Sequence, residues 1–237
     1  MSWPAEHAVA EAYAAVTAKI AEAAARAGRS AAEIQLVAVT KDASDEQLRQ
    51  IVALGQRDLG ESRAQQLAHR VKALGPQLPQ VVRWHMIGHL QRNKVSTILP
   101  LAAMIHSVDS LRLAEQINQT VSPDQAQDVL LQVNVSGEQS KFGVTPADAI
   151  GVAEQIHAMA GLKLRGLMTM APYSDNPEDA RPTFARCCAL FHQMRDQGLG
   201  GDDFDTLSMG MTPDYEVAIE EGATLIRIGS ALFRPRK

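Results

Sequence analysis

Cysteine is nearly absent from this sequence, and its two cysteines, Cys187 and Cys188, are adjacent. Neighbouring cysteines rarely close a disulfide because the bond would be strained. Neither cysteine lies in a CxxC or other metal-type spacing. These features argue against a disulfide-held secreted fold and against a cysteine-rich metal site. We expect two buried thiols in a reducing compartment.

The sequence also lacks the basic charge and the long apolar runs that mark two other classes of protein. Its net charge is −4, which gives no general attraction for nucleic acid or for an anionic membrane. The basic residues at 234–237 form only a short end, which we interpret as a solvated tail. No apolar run approaches 18 residues, and no charged-then-apolar leader begins the chain. We therefore expect a cytoplasmic protein with no nucleic-acid or membrane partner.

The sequence does contain a repeated pattern, in which a short apolar run precedes a helix cap and a segment with helical spacing. An alanine-rich helix at 5–27 comes first, with Val9, Tyr13, Val16 and Ile20 on its apolar face. Eight strands are then predicted, the second and seventh from weak signals, at 36–40, 57–60, 81–87, 103–108, 128–135, 162–170, 204–208 and 224–228. The predicted helix starts include Ser44 with Gln47, Ser62 with Gln65, Thr145 with Pro146, and Thr212 with Pro213.

Alternating strands and helices predict a parallel sheet, and a chain of 237 residues can bury a large single core. The predicted fold class is α/β. Eight repeats in about 200 residues favour a single (β/α)8 TIM barrel with an extra N-terminal helix. Residues 1–237 would form one domain. An open doubly wound sheet is the alternative, but it usually carries a glycine-rich phosphate turn after an early strand. Here Thr40, Lys41 and Asp42 stand at that position.

Lys41 draws attention because it ends the first predicted strand, at the face of a barrel where active sites gather. The other lysines lie in helices, in loops or at the opposite end of a strand. A lysine amine is mostly protonated at neutral pH, since its ordinary pKa is about 10.4. Burial, or a neighbouring cation such as Arg227, would favour the neutral amine that adds to a carbonyl. Lys41 is therefore a candidate Schiff-base lysine.

Residues around the last two strands suggest an anion site. Gly229 and Ser230 follow the eighth strand, and Ser208 ends the seventh, where barrels often bind phosphate. An ordinary turn would also account for the Gly-Ser pair. Arg227 lies within an apolar strand and must find a partner. That partner is either a structural carboxylate, such as Glu61 or Asp109, or a ligand in the barrel mouth.

Together, a lysine, a phosphate loop and an arginine fit pyridoxal 5′-phosphate (PLP), which offers an aldehyde, a phosphate and a pyridine nitrogen. A metal site is not predicted. His85 and His89 are four residues apart, but they flank a strand end and Gly88, and no third ligand is spaced nearby.

The sequence resembles the pyridoxal phosphate homeostasis proteins, whose fold is that of the alanine racemase N-terminal barrel. The resemblance runs nearly end to end. It rests on ordered motifs that read here VTK at 39–41, GES at 60–62, WHMIGHLQ at 84–91, SVD at 107–109, VN at 133–134, SKFG at 140–143, RGLM at 165–168, LSMGM at 207–211 and RIG at 227–229.

The resemblance implies roles for eight residues. Lys41 would hold PLP as a Schiff base, and Arg227 would lie near the pyridine nitrogen and leave it unprotonated, which makes PLP a weak electron sink. Ser208, Gly229 and Ser230 would bind the phosphate. Asn134 and Met168 would line the ring, and Met209 belongs to the same strand-end motif as Ser208.

The resemblance also implies a protein that binds, buffers and delivers PLP without robust catalysis. PLP-dependent apoenzymes would then be recipients, and a monomer is expected. Two departures from the family pattern occur. Ser62 replaces an asparagine, and Arg234 and Pro235 stand where a glycine usually follows Phe233.

Two enzymatic alternatives remain at this stage. A PLP-dependent amino-acid racemase normally has a second domain and a catalytic tyrosine, and this chain has only Tyr13, Tyr173 and Tyr215. Tyr173, in the loop after the sixth strand, stays possible as a base. An aldolase-like enzyme using Lys41 without a cofactor would leave the phosphate loop and Arg227 less well explained.

Overall fold

The computed structural model describes residues 5–122, 124–138 and 141–233, and the predicted tail at 234–237 lies outside them. Eight parallel strands close into a barrel in sequence order, β1 to β8, with β1 paired to β8. This confirms the predicted (β/α)8 barrel and rules out the open sheet. The strands are β1 (Gln35–Val39), β2 (Asp58–Glu61), β3 (Arg83–Met86), β4 (Met104–Val108), β5 (Gln127–Gln132), β6 (Leu162–Met168), β7 (Thr206–Ser208) and β8 (Leu225–Ile228).

Helices alternate with these strands and cover the outside of the barrel. They are α1 (Ala5–Arg26), α2 (Asp45–Ala53), α3 (Ala64–Leu74), α4 (Val95–Ile98), α5 (Leu111–Thr120), α6 (Pro146–His157), α7 (Arg181–Asp196), α8 (Tyr215–Glu220) and α9 (Ser230–Phe233). Short 3-10 turns occur at Ala31–Glu33, Gly75–Gln77, Arg92–Lys94, Pro177–Ala180 and Gly201–Asp203.

The N-terminal helix α1 is the predicted extra helix, and it precedes the first strand. Val9, Val16 and Ile20 are buried on its apolar face, and Tyr13 packs partly buried beside them. No helix in the described residues is both long enough and apolar enough to cross a bilayer.

Two of the predicted helix starts are confirmed. The Ser44 hydroxyl accepts a hydrogen bond from the backbone N–H of Gln47, and the Gln47 side-chain oxygen accepts one from the backbone N–H of Ser44, so the capping box is complete. Thr145 caps α6, with Pro146 in its first turn. In both cases the signal lies within four residues, which is why the sequence could show it.

The starts predicted at Ser62 and at Thr212 are wrong. Helix α3 begins one residue later, after Arg63, without a side-chain cap, and α8 begins after Asp214. Asp214 instead accepts a hydrogen bond from the backbone N–H of Met211 at 2.6 Å, which forms a tight turn before the helix. These turns therefore leave Ser62 and Thr212 in loops at the barrel mouth.

Strand β5 ends earlier than predicted, at Gln132. Residue Val133 then makes a single bridge to Val144, while its backbone N–H still donates to the Met168 carbonyl of β6 at 2.9 Å. Strand β6 carries a register shift opposite Val129 and Leu130, close to Gly166. A Cβ at Gly166 would lie 1.8 Å from the Thr206 carbonyl oxygen, and its φ is +148°, so only glycine fits there.

Candidate functional site

A cavity of about 390 Å³ opens at the C-terminal end of the barrel strands. It brings four of the predicted site residues together: Lys41, Arg227, Gly229 and Ser230. Its volume lies in the range of pockets that hold small molecules and cofactors. The other lining residues are Val39, Asp42, Ser62, Ile87, Gly88, His89, Gln132, Phe142, Met170, Tyr173, Met211, Thr212, Pro213 and Phe233.

Lys41 lies two residues beyond β1, and neighbouring elements hold its backbone in place. The backbone N–H of Thr40 donates to the Gly60 carbonyl at 2.9 Å, and the side-chain amide of Gln66 donates to the Lys41 carbonyl at 3.0 Å. The Lys41 side chain itself is exposed at the mouth of the cavity. The expectation that burial desolvates the amine is therefore not met in this structure.

A buried carboxylate and a buried guanidinium support the turn that carries Lys41. Glu61, which is fully buried, accepts a hydrogen bond from the Thr40 hydroxyl at 2.6 Å and lies 3.1 Å from Arg70 Nε. Arg70 also donates to the Ala43 carbonyl at 2.7 Å. Burial raises the pKa of Glu61, while the Thr40 hydroxyl and the Arg70 charge act in the opposite direction. The pair therefore fixes residues on both sides of Lys41.

Arg227 reaches the cavity from within β8 and is almost fully buried. Its guanidinium donates to the Ser208 hydroxyl and, at 3.0 Å, to the Thr169 carbonyl. Burial lowers the pKa of Arg227 to about 10, an effect that the Asp214 charge partly offsets. Arg227 therefore contacts neutral groups and faces a cavity.

The two carboxylates considered as structural partners of Arg227 pair elsewhere. Glu61 pairs with Arg70, and Asp109 lies 2.8 Å from His89 Nδ1. The ion-pair alternative for Arg227 is thus wrong for both named partners.

Ser208 and Met209 lie behind the cavity wall rather than on it. Both are fully buried. The Met209 backbone N–H donates to the Leu225 carbonyl at 3.1 Å, so it is used in joining β7 to β8.

Hydroxyls beside the last two strands come instead from Ser230 and Thr212, both at the cavity wall. Thr212 accepts a long hydrogen bond, 3.4 Å, from the backbone N–H of Ala231. Sequence reasoning assigned Thr212 to a helix cap. Its position in the loop that follows the seventh strand was the signal that could have placed it at the mouth.

Asn134 and Met168 are also set back from the cavity. Asn134 organises the loop after β5, since its side chain donates to the Glu138 carbonyl and accepts from the Ser136 hydroxyl and the Gly137 N–H. Met168 belongs to a small buried cluster with Met104 and Leu130, inside the barrel. Two neighbouring residues line the cavity in their place. They are Gln132, two residues before Asn134, and Met170, two residues after Met168.

An aromatic rim borders the mouth, and the sequence analysis did not predict it. Phe142 stacks on His89 with 4.0 Å between ring centroids and an interplanar angle of 13°. Phe142 and Tyr173 are both exposed. His89 and His85 have separate partners, Asp109 and Asp58, and do not form a pair.

A larger groove, of about 610 Å³, lies between α1 and α8, but its charges are already paired. Glu216 binds Lys19 and Arg26, and Glu220 binds Arg26 and Arg181, at distances between 2.7 and 3.2 Å. The cavity at the strand ends combines an amine, a guanidinium and hydroxyls within one pocket. This donor set fits an aldehyde-bearing phosphate ester such as PLP.

The comparisons with known proteins agree with this barrel and site. The family model described as "Alanine racemase, N-terminal domain" matches residues 12–236. The pyridoxal phosphate homeostasis protein of Pseudomonas aeruginosa is 41% identical over 229 residues, which cover 96% of each chain.

Two solved structures have the same fold. A protein described as unknown, from Bifidobacterium adolescentis, is 34% identical with a TM-score of 0.91, over 98% of this chain and 97% of that one. PipY of Synechococcus elongatus, solved with PLP bound, is 31% identical with a TM-score of 0.77, over 90% of this chain and 99% of that one. The fold and site define a barrel of the alanine racemase N-terminal type. Within that class, the chain belongs to the family of the pyridoxal phosphate homeostasis proteins.

Proposed function

We propose that this protein binds PLP in the cavity at the barrel mouth and serves PLP homeostasis in the cell, without robust catalysis. One observation carries the proposal: the fold brings Lys41, Arg227, Gly229 and Ser230 to a single cavity. The PLP-bound structure of PipY and the names of the curated relatives support it.

In this proposal the Lys41 amine would hold PLP as a Schiff base at its aldehyde carbon. Gly229 and Ser230 bind the phosphate. Arg227 can only donate hydrogen bonds, so it favours an unprotonated pyridine nitrogen. PLP stabilises carbanions by drawing electrons into its ring, and an unprotonated nitrogen weakens that effect. The remaining predicted contacts, Ser208, Met209, Asn134 and Met168, would act from behind the wall.

The tyrosines support a non-catalytic role over racemisation. Tyr215 is buried, and burial raises its pKa to about 12, which makes its phenolate hard to form at neutral pH. Tyr13 lies on α1, 3.5 Å from the Gln56 side-chain oxygen. Tyr173 lines the cavity but is 87% exposed, and its hydroxyl donates a long hydrogen bond, 3.4 Å, to the exposed Asp175 in the same loop, so its surroundings hold it weakly for a base.

Incubation with PLP tests the lysine and the cofactor together. The wild-type protein should gain a visible absorbance band, and borohydride reduction should add the cofactor mass to the peptide that contains Lys41. Lys41→Ala should show neither, while Lys72→Ala, an exposed lysine on α3, should match the wild type. A wild-type protein that stays colourless would exclude the proposal.

A second experiment distinguishes non-catalytic PLP binding from racemisation. The PLP-loaded protein is incubated with L-alanine or L-serine, and the products are separated by chiral chromatography. We expect no D-isomer above background. Clear turnover that is lost in Tyr173→Phe would establish the racemase instead.

We also propose that residues 1–237 work as one PLP-binding domain, that the protein is a cytoplasmic monomer, and that PLP-dependent apoenzymes receive its cofactor. Light scattering would report the monomer. Activation of an apoenzyme by the loaded protein, compared with an equal amount of free PLP, would report delivery.

A further inference from the structure

Five polar residues form one continuous network through the interior of the barrel. His85 Nε2 lies 3.0 Å from Asp58 Oδ1, and His85 Nδ1 lies 2.9 Å from His106 Nε2. His106 Nδ1 lies 3.0 Å from the Ser208 hydroxyl, which accepts a hydrogen bond from Arg227. We call Asp58, His85, His106, Ser208 and Arg227 the buried polar network. It runs from the first residue of β2 to the cavity.

This network is costly for a barrel interior. All five residues are at most 5% exposed, and His106 and Ser208 are fully buried. Barrel interiors are usually filled by apolar branched side chains. Buried polar groups are tolerated only when each has its hydrogen-bond partner, and apolar replacements often stabilise more. Packing alone therefore gives no reason for these residue types.

The hydrogen bonds of the network can all point in one direction. A guanidinium only donates, so the Ser208 oxygen accepts from Arg227 and its hydrogen goes to His106 Nδ1. His106 must then be neutral, with its proton on Nε2, and burial holds the pKa of His106 well below its ordinary value.

The same logic continues to the far end of the network. His106 Nε2–H donates to His85 Nδ1, and His85 Nε2–H donates to Asp58. Arg83 closes the network from outside, with two hydrogen bonds of 2.6 and 2.7 Å to the Asp58 carboxylate. Burial alone would raise the pKa of Asp58, but the hydrogen bonds from His85 and Arg83 bring it below its ordinary value. Each donor thus has one acceptor.

We propose that Asp58, His85, His106 and Ser208 are positioning residues that orient the Arg227 guanidinium at the cavity. The carboxylate at the opposite end of the barrel fixes both imidazole tautomers, and these fix the Ser208 hydroxyl. The Ser208 hydroxyl then accepts a hydrogen bond from Arg227 and donates one to His106. It therefore orients Arg227 and is not available to a phosphate. Ser208 therefore affects the cavity only through Arg227.

The first test uses the ligand-free protein and needs no variant. Nitrogen NMR on protein with ¹⁵N-labelled histidine should show His85 and His106 as neutral imidazoles with the proton on Nε2 at pH 7 to 8, and His106 should stay neutral to about pH 6. Either ring as an imidazolium at pH 7, or with its proton on Nδ1, would overturn the direction of the network.

The second test follows the guanidinium signals of Arg227 in the ligand-free protein. Bonds to Ser208 and Thr169 should keep the two Nη groups distinct in the wild type. Ser208→Ala should average them, and so should Asp58→Ala from the other end of the barrel. Asp58→Asn keeps an acceptor for His85 and should restore the wild-type signals.

A matched control separates positioning from general loss of stability. Gln127 begins β5 at the same end of the barrel, is 7% exposed, and donates to the Ala102 and Ala103 carbonyls, outside the network. Gln127→Leu should lower the unfolding free energy without changing the Arg227 signals. Equal changes in Gln127→Leu and Asp58→Ala would overturn the proposal.

The consequence for PLP rests on the proposed function. Asp58→Ala should weaken PLP binding by about fivefold or more, whereas Gln127→Leu should not. If the wild type takes up no PLP, the proposed function fails while the NMR result still decides the network. If Asp58→Ala changes the guanidinium signals but binds PLP as the wild type does, the role of the network toward the cofactor is excluded.

Discussion

At the scale of single residues, the site depends on Lys41, an exposed lysine whose backbone is held by buried charged residues. The amine lies at the cavity mouth, while Glu61 and Arg70 hold Thr40 and Ala43 on either side of it. A long side chain at the surface has many rotamers, so its useful position depends on a fixed backbone. The reactive group and the groups that place it are therefore on different elements, since Lys41 follows β1 whereas Glu61 ends β2 and Arg70 lies on α3.

Replacing Arg70 with methionine should destabilise the protein by about 3 kcal/mol, because it leaves the Glu61 carboxylate buried without its cation. The Ala43 carbonyl also loses its donor. Urea unfolding measures the effect. The double variant Arg70→Met with Glu61→Gln should recover part of the loss, and equal stability of the two variants would show that the charge of Glu61 is not the cause.

At the scale of secondary-structure elements, the mouth is shaped by close contacts between strand-end loops. A Cβ built on Gly88, after β3, would lie 2.2 Å from the Ser62 carbonyl oxygen, after β2. Both residues line the cavity. Since the obstacle is backbone, it can move only if a whole loop moves.

Gly88→Ala should therefore lower the unfolding free energy by about 2 kcal/mol or more and weaken PLP uptake. Gly151, inside α6, is the matched control, because no atom lies within 4 Å of a Cβ built there. Gly151→Ala should stabilise the protein by about 0.5–1 kcal/mol through helix propensity. Calorimetry on both variants measures the change in stability. Similar changes in Gly88→Ala and Gly151→Ala would show that the close contact at Gly88 does not determine stability.

At the scale of the whole molecule, the buried histidine His106 links stability to pH. Its folded pKa is lowered, first by burial, with the nearby Arg227 charge acting in the same direction. The unfolded chain therefore binds a proton that the folded protein does not. This contribution is fully present above the unfolded pKa of about 6.5 and is lost as pH falls below it.

Stability should accordingly fall from pH 7.5 to pH 5.5, with His106 contributing up to about 1.4 kcal/mol per pH unit below pH 6.5. Carboxyl groups with pKa raised by burial, such as Glu61 and Asp214, act in the opposite sense. Urea unfolding at several pH values measures the slope. His106→Asn removes the titrating ring and should flatten it; an unchanged slope would contradict the assignment.

Patterns within a few residues were sufficient to predict most of the fold. Alternating apolar runs and helical stripes indicated eight strands with helices between them, and the confirmed caps at Ser44 and Thr145 are local hydrogen bonds. The errors are also instructive. Ser62 and Thr212 have cap chemistry, yet contacts between loops at the mouth decide where their helices begin.

The sequence by itself determined the class of fold and the position of Lys41, because hydrophobic period and strand ends are local properties. Only the tertiary structure decided which polar residues meet. His106 and Ser208 are 102 residues apart, and no spacing rule connects them. The bulge in β6 sets which of its side chains face inward, since a shift of one residue reverses the faces of a strand. The early end of β5 left Gln132 rather than Asn134 at the cavity, and the packing of the barrel interior joined Arg227 to a carboxylate at the other end of the barrel.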